Sequence, residues 1–189
     1  AHDVRMVQVD NLYMYGPQNV PLHEALALNP RGRKPRARAL ATQMWMDAAG
    51  RVKWAALRSP DFYGPGVDRC HIGETGFGRL AQGKAALSIM PPDVRHAYAY
   101  VPDIGRAVVT LLDAPDEDFN QAWHTPCAPA LTPREMLAIG ADAMGRRLEV
   151  NAMPGWMLAL GGMLSPMLRE LHEMRFTWNG AYLVDSSKW

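Results

Sequence analysis

Long apolar runs, metal-ligand spacings and any surplus of charge are missing from this 189-residue sequence. The formal net charge is +1, so composition gives no argument for nucleic acid or an anionic membrane as a partner. The two cysteines, Cys70 and Cys127, lie in separate segments and form no metal pattern. Two free thiols in a reducing cytosol is the expectation, with a disulfide between them left open. His2, His23, His71, His124 and His172 show no ligand spacing, which gives a metal site no support. Without a Gly-x-Ser-x-Gly elbow or a candidate triad, a hydrolase has little support either. The polar opening AHDVR does not read as a signal peptide. The most apolar stretch, MPGWMLALGGMLSPML (153–168), carries two prolines and three glycines and is too short to span a bilayer. A cytoplasmic protein without nucleic-acid or membrane partners is therefore expected.

What is present is alternation. VRMVQVDN (4–11) has the β-rich composition of a parallel strand buried on both faces. The next segment, punctuated by Pro and Gly, predicts a long surface loop. Helical spacing follows from about Lys34 to Ala49, with Ala37, Leu40, Ala41, Met44, Trp45 and Ala48 on one face and Gly50 as a stop. Its basic start, RGRKPRAR (31–38), reads as a solvated face or as a holder for a phosphate. Val52–Arg58 gives a second strand, and further strands are expected near Ala85–Met90, in FNQAWHTPC and in LEVNAMP. HAYAYVPD supplies a short extended piece. A helix follows with Asp103 at its favourable N-terminal end. In LTPREML, Thr132 is placed to cap a helix, Pro133 to open it and Glu135 to close a capping box. GETGFG (73–78) does not match the dinucleotide fingerprint and is expected to be a flexible loop. Two helices fill 155–174, AYLVDSSKW begins a further element, and the methionines are expected to fill the core. Strand, helix and strand in short succession argue for a parallel α/β sheet.

The order of four segments resembles the extended short-chain dehydrogenase/reductase family, the NAD-dependent epimerases and dehydratases. DNLYMYGP is similar to that family's Ser-Ser-x-x-Val-Tyr-Gly strand end, and LRSPDFYGPG to its Leu-Arg-x-x-x-x-Tyr-Gly-Pro-Gly. YAYVPDIGRAVVTLL resembles its His-Val-x-Asp-Val-Ala-x-Ala segment, and LTPREML the helix that follows. The resemblance implies an α/β fold: the second half of a Rossmann-like parallel sheet with a small C-terminal α/β substrate lobe. The division is expected near residue 115, with 1–115 Rossmann-like and 116–189 the substrate lobe, their segments interleaving. It also implies NAD or NADP as cofactor of a longer parent protein. The glycine-rich turn that seats the pyrophosphate would lie in a missing N-terminal segment, about 30 residues per βα unit. The chain is accordingly expected to be an internal piece of that parent.

The chemistry departs from the family. Where it keeps a serine, a tyrosine and a lysine, Asn11, Lys34 and Arg38 stand here. Lys34 and Arg38 are four residues apart and share a helix face. Asn11 can still donate a hydrogen bond. Arg38 can hold a ribose or phosphate but is essentially never a base, and Lys34 could act as an acid only with a strongly depressed pKa. Tyr13, two residues from Asn11 on the same strand face, is the best replacement proton donor; Tyr15 shares that parity. Packed aromatics at a strand end are the alternative for both. The turn after the family's next strand lies beside nicotinamide and substrate, which implies Pro60, Asp61 and Tyr63. Arg95 and His96 fall near an arginine that nucleotide-sugar enzymes use for a diphosphate. An acid at Asp61 would repel a diphosphate, so a smaller, less charged substrate is expected. Asn11, Tyr13, Lys34 and Arg38 are thus the catalytic candidates. Lys34, Arg38 and Pro60 are the cofactor candidates, and Tyr15, Asp61, Tyr63, Arg95 and His96 the substrate candidates. The expected activity is oxidoreduction or epimerisation of a small carbonyl or hydroxyl compound. The competing expectation is a non-catalytic dinucleotide-sensing or protein-binding member. A homodimer through the long helix is left open.

Overall fold

The computed structural model describes residues 4–67 and 70–189. The chain divides into two compact units. One takes in the described residues of 1–65, 98–128 and 183–189; the other takes in those of 66–97 and 129–182.

The first unit is built on a parallel three-stranded sheet. Strands β1 (Arg5–Asn11), β2 (Lys53–Ser59) and β6 (Gln121–His124) lie in the order β1-β2-β6. β2 is central and buried from Trp54 to Ser59, as its run WAALRS requires. The register sets Asp10 beside Arg58 and Arg58 beside His124. These three polar residues therefore form one row across the carboxyl ends of the strands. The opposite face carries Val7, Leu57 and Trp123, and helix α3 (Val101–Asp113) packs on it through Ile104, Ala107 and Leu111. Helix α1 (Arg33–Asp47) covers the Asp10 face, where the Thr42 hydroxyl donates to Asp10 Oδ2 at 3.2 Å. Helices on both faces of a parallel sheet make this a Rossmann-like layer. A short parallel pair, β3 (Asp61–Tyr63) with β5 (Tyr98–Tyr100), completes the unit.

Two expectations are corrected here, and the orientation of α1 is a further finding. β1 is not buried on both faces: it has a neighbour on one side only within its sheet, and Val9 is 51% exposed. The apolar face of α1 points outward, with Leu40 and Met44 exposed, while Pro35 and Thr42 turn inward. The inward face is set by the Asp10 row, which offers a hydroxyl partner rather than an apolar floor. Residues 181–189 begin no new helix or strand. Val184 bridges Leu22, and residues 183–189 lie along the rest of unit 1 through backbone pairs to that residue.

The second unit holds a parallel pair, β4 (Ala86–Ser88) with β7 (Val150–Ala152). Around it lie α2 (Arg79–Ala81), α4 (Pro133–Ala143), α5 (Gly155–Leu164) and α6 (Pro166–Met174). The capping box of α4 is present in full: Thr132 Oγ1 accepts from the Glu135 N–H, and Glu135 Oε2 from the Thr132 N–H. Gly73–Gly78 is a π-helical turn rather than a flexible loop, with Phe77 N–H bonded to Ile72 O at 2.9 Å. Close glycine packing explains it. A Cβ at Gly140 of α4 would overlap the Phe77 ring, and one at Gly76 would meet Leu137 at 2.8 Å. The methionines do not all fill the core. Met14, Met90, Met136 and Met174 are buried, whereas Met44, Met46, Met157, Met163 and Met167 are exposed.

Candidate functional site

β1 ends at Asn11, and the chain turns at once into a 3-10 helix, Tyr13–Tyr15. The side chain of Asn11 makes the turn: its Oδ1 accepts the Tyr13 N–H at 3.0 Å. Asn is favoured in such a place because its short amide can mimic a backbone turn. Gly16 closes it at φ +65, where a Cβ would overlap the Asn29 carbonyl oxygen. Strand alternation therefore stops at Asn11, so the shared parity expected for Asn11, Tyr13 and Tyr15 does not hold.

The turn separates the two tyrosines. Tyr13 is half-buried, and burial first, the Asp61 carboxylate second, push its hydroxyl up to about 12 against the opposing pull of Arg38. Asn11, Tyr13, Arg38 and Asp61 thus gather at the carboxyl edge of the sheet, where open α/β folds place their ligands. Tyr15 instead is wholly buried. Its hydroxyl accepts from Arg58 Nη1 at 2.6 Å and meets His124 Nε2 at 3.0 Å. It belongs to the sheet's polar row and not to a substrate surface.

Asp10 anchors the site from below. Its carboxylate accepts from the Asn11 N–H at 2.9 Å and from Thr42, and Arg38 Nη1 stands 3.7 Å away. Lys34 and Arg38 are both exposed on α1, as is the basic run around them. Pro60 is buried at the end of β2, and Asp61 opens β3. Tyr63 lies 5.3 Å from Tyr100, ring centre to ring centre; burial first, then Asp103, Tyr100 and Cys127, raise its pKa.

Arg95 and His96 fall in the other unit. Arg95 Nη1 donates to Ala130 O at 2.7 Å. His96 is 2% exposed, stacks on Tyr182 at 5.2 Å and bonds Leu131 O through its backbone N–H. Burial in a ring stack is a packing environment rather than a ligand-facing one. That unit also holds a cavity of about 310 Å³ walled by Met90, Met153, Arg175 and Trp178.

Sequence reasoning missed Asp10, Thr42, Arg58 and Glu24. Glu24 Oε1 accepts the His124 N–H at 2.6 Å, a pairing 100 residues apart that no local spacing announces. Parity along β1 could have raised Asp10, because an acid in a strand interior demands partners. Cys127 is a free thiol. Among the described residues no group of three His, Cys, Asp or Glu could hold a metal ion. No helix among them is long and apolar enough to cross a membrane.

No family model and no curated protein matches this chain. Solved structures do. The dTDP-glucose 4,6-dehydratase of Bacillus anthracis, in complex with NAD, superposes with a TM-score of 0.71 at 14% identity, over 97% of this chain and 53% of that one. The dTDP-glucose 4,6-dehydratase of Streptomyces venezuelae, with NAD bound, gives 0.69 at 17% identity, over 97% of this chain and 52% of that one. The UDP-glucose 4-epimerase of Thermus thermophilus, also with NAD, gives 0.60 at 21%, over 78% and 50%. The chain therefore spans about half the length of the structures it matches, and it has the Rossmann-like α/β fold of NAD-dependent epimerases and dehydratases.

Proposed function

We propose that the protein carrying this chain is an NAD- or NADP-dependent oxidoreductase or epimerase acting on a small carbonyl or hydroxyl compound through an atypical site. The observation that carries the reading is the gathering of Asn11, Tyr13, Arg38 and Asp61 at the carboxyl edge of the sheet. At about 12 the Tyr13 hydroxyl keeps its proton through neutral pH but gives it up less readily than a free tyrosine. Tyr13 donates its proton only as a substrate oxygen gains negative charge and becomes strongly basic, which suits carbonyl reduction. The Asn11 amide nitrogen supplies a second donor to that oxygen.

Arg38 and Lys34, one helical turn apart and exposed, suit a ribose and its neighbouring phosphate. Pro60, buried at the end of β2, is the third cofactor candidate. A nicotinamide, when bound, supplies or accepts the hydride. The residues present fit that end of a dinucleotide. In this reading a preceding segment seats the pyrophosphate, and a second copy covers Leu40 and Met44 on α1. Asp61 turns the site away from diphosphate substrates.

A second reading is a protein that binds the dinucleotide without turning it over. It is favoured by Arg38, which cannot exchange a proton at neutral pH, standing where a proton-transfer partner would be useful.

The test is hydride turnover by the intact protein with NADH and NADPH on a panel of aldehydes and ketones, beside Tyr13→Phe. The first reading expects a loss of about 10²–10⁴-fold in kcat, with cofactor affinity retained. Unchanged turnover in Tyr13→Phe removes Tyr13 from the mechanism, and cofactor binding without turnover on any compound leaves the second reading.

A further inference from the structure

His124 is fully buried, and its ring ties together three stretches distant in sequence. Nδ1 faces two carbonyl oxygens, Leu22 O and Asp185 O, each at 3.2 Å. Carbonyls only accept, so Nδ1 carries the proton and Nε2 is the acceptor. Tyr15 O–H then donates to Nε2, and Arg58 N–H donates to the Tyr15 oxygen. The chain of bonds runs one way: Arg58 to Tyr15 to His124 to the two carbonyls. It is complete only with a neutral ring.

The two carbonyls belong to segments that also hold each other. Leu22 N–H donates to Leu183 O, and Asp185 N–H to Leu22 O, each at 2.8 Å. Together with Gln121 and Ala122 of β6, the segments wall a cleft of about 520 Å³ through His23, Glu24, Asp185, Ser187 and Lys188. Lys188 Nζ closes the far end on Gln121 Oε1 and Ala122 O.

We propose that His124 is a proton-operated latch: a second ring proton releases the 183–188 segment from Leu22 and opens the cleft. A proton on Nε2 would aim two cationic donors, imidazolium and guanidinium, at one tyrosine oxygen and would leave the Tyr15 proton without its acceptor. In a buried site that arrangement is strongly disfavoured. The charges facing the ring are Glu24 from the loop, Arg58 from β2 and Asp185 from the segment itself. Asp10 of β1 lies beyond Arg58, and His23 and Lys188 stand at the cleft. Burial, the largest influence, holds the ring below the ordinary histidine range; Glu24 pulls it up and Arg58 presses it down.

The sign follows. The ring stays neutral through neutral pH, and an opened ring titrates nearer 6.5. Closure is therefore lost as pH falls below that value towards the lower pKa of the closed form.

The experiment is hydrogen exchange at the Asp185 amide of the intact protein across acid pH, with His124 followed by NMR in the same samples. Corrected for intrinsic rates, Asp185 exchange should rise severalfold. It should rise as His124 protonates, while the Leu111 amide of α3 stays protected. Protonation of His124 with Asp185 still protected overturns the latch, and so does loss of Asp185 and Leu111 protection together. Glu24→Gln separates the ring from the carboxylate as trigger. Removing the Glu24 charge should increase Asp185 exchange at acid pH and leave it unchanged at neutral pH, because Glu24 favours the protonated ring only in the closed site. Opening already present at neutral pH, where the ring is neutral, would assign the trigger to Glu24 and overturn the proposal.

Discussion

Arg38 of α1 holds its guanidinium 3.7 Å from the carboxylate of Asp10, a side chain only 1% exposed at the end of β1. The Arg38 side chain is itself half exposed, so the pair is partly solvent-screened and its own contribution is small. More depends on the hydroxyl that completes the Asp10 shell. Thr42→Val keeps the shape and removes that donor. It should cost about 1–3 kcal/mol, the penalty for a buried acceptor that loses a partner. Arg38→Met should cost about 1 kcal/mol or less. Urea denaturation of the two variants checks the order, and a larger loss in Arg38→Met would show that the ion pair dominates.

Tyr13 is expected to ionise near 12, because burial and the Asp61 carboxylate both oppose the phenolate. A folded value above the unfolded value of about 10 means that the neutral hydroxyl stabilises the fold below pH 10. That contribution fades as pH rises from there towards 12. Ultraviolet titration of wild type against Tyr13→Phe isolates the group. Asp61→Asn should lower the transition, since it removes one of the two raising causes.

Helices and strands were legible wherever periodicity or a cap marked them. Thr132-Pro133-x-Glu135 announces the start of α4, and WAALRS the buried centre of the sheet. What stayed hidden was the direction in which an amphipathic helix points. The spacing of Ala37, Leu40, Ala41 and Met44 defines an apolar face of α1, yet the sheet offers the helix Asp10, so Thr42 turns inward and that face points out. Local pattern reports the shape of a face but not its partner.

At the site, parity along a strand was the tool, and it failed where the strand ended. Asn11 turns its amide back onto the chain and swings Tyr13 out of register, sending Tyr15 into the interior. The polar row of Asp10, Arg58 and His124 rests on pairings across three strands. Such rows are set by sheet order, which one sequence does not display.

Gly140→Ala should be destabilising despite the better helix propensity of alanine. Its Cβ would overlap the Phe77 ring in the π-helical turn. Overpacking of this kind costs about 1–3 kcal/mol, more than the ~1 kcal/mol gained by replacing glycine within a helix. A paired Phe77→Leu change should recover part of the loss. Thermal denaturation of the single and double variants measures that coupling, and additive losses would place the strain elsewhere.

Cys127 should be slow to alkylate. Burial first, and the Asp103 carboxylate second, push its thiol up to about 11 from 9.0, and its Sγ–H donates to Thr125 O at 3.2 Å. The thiolate is the nucleophile, so two units correspond to roughly a hundredfold less of it at neutral pH. Iodoacetamide followed by peptide mass spectrometry should therefore label Cys127 about a hundredfold more slowly in the folded protein than in urea. Asp103→Asn should recover only the smaller share of that factor, because burial is the larger cause. Full recovery on removing the Asp103 charge would mean that the carboxylate, rather than burial, holds the thiol protonated.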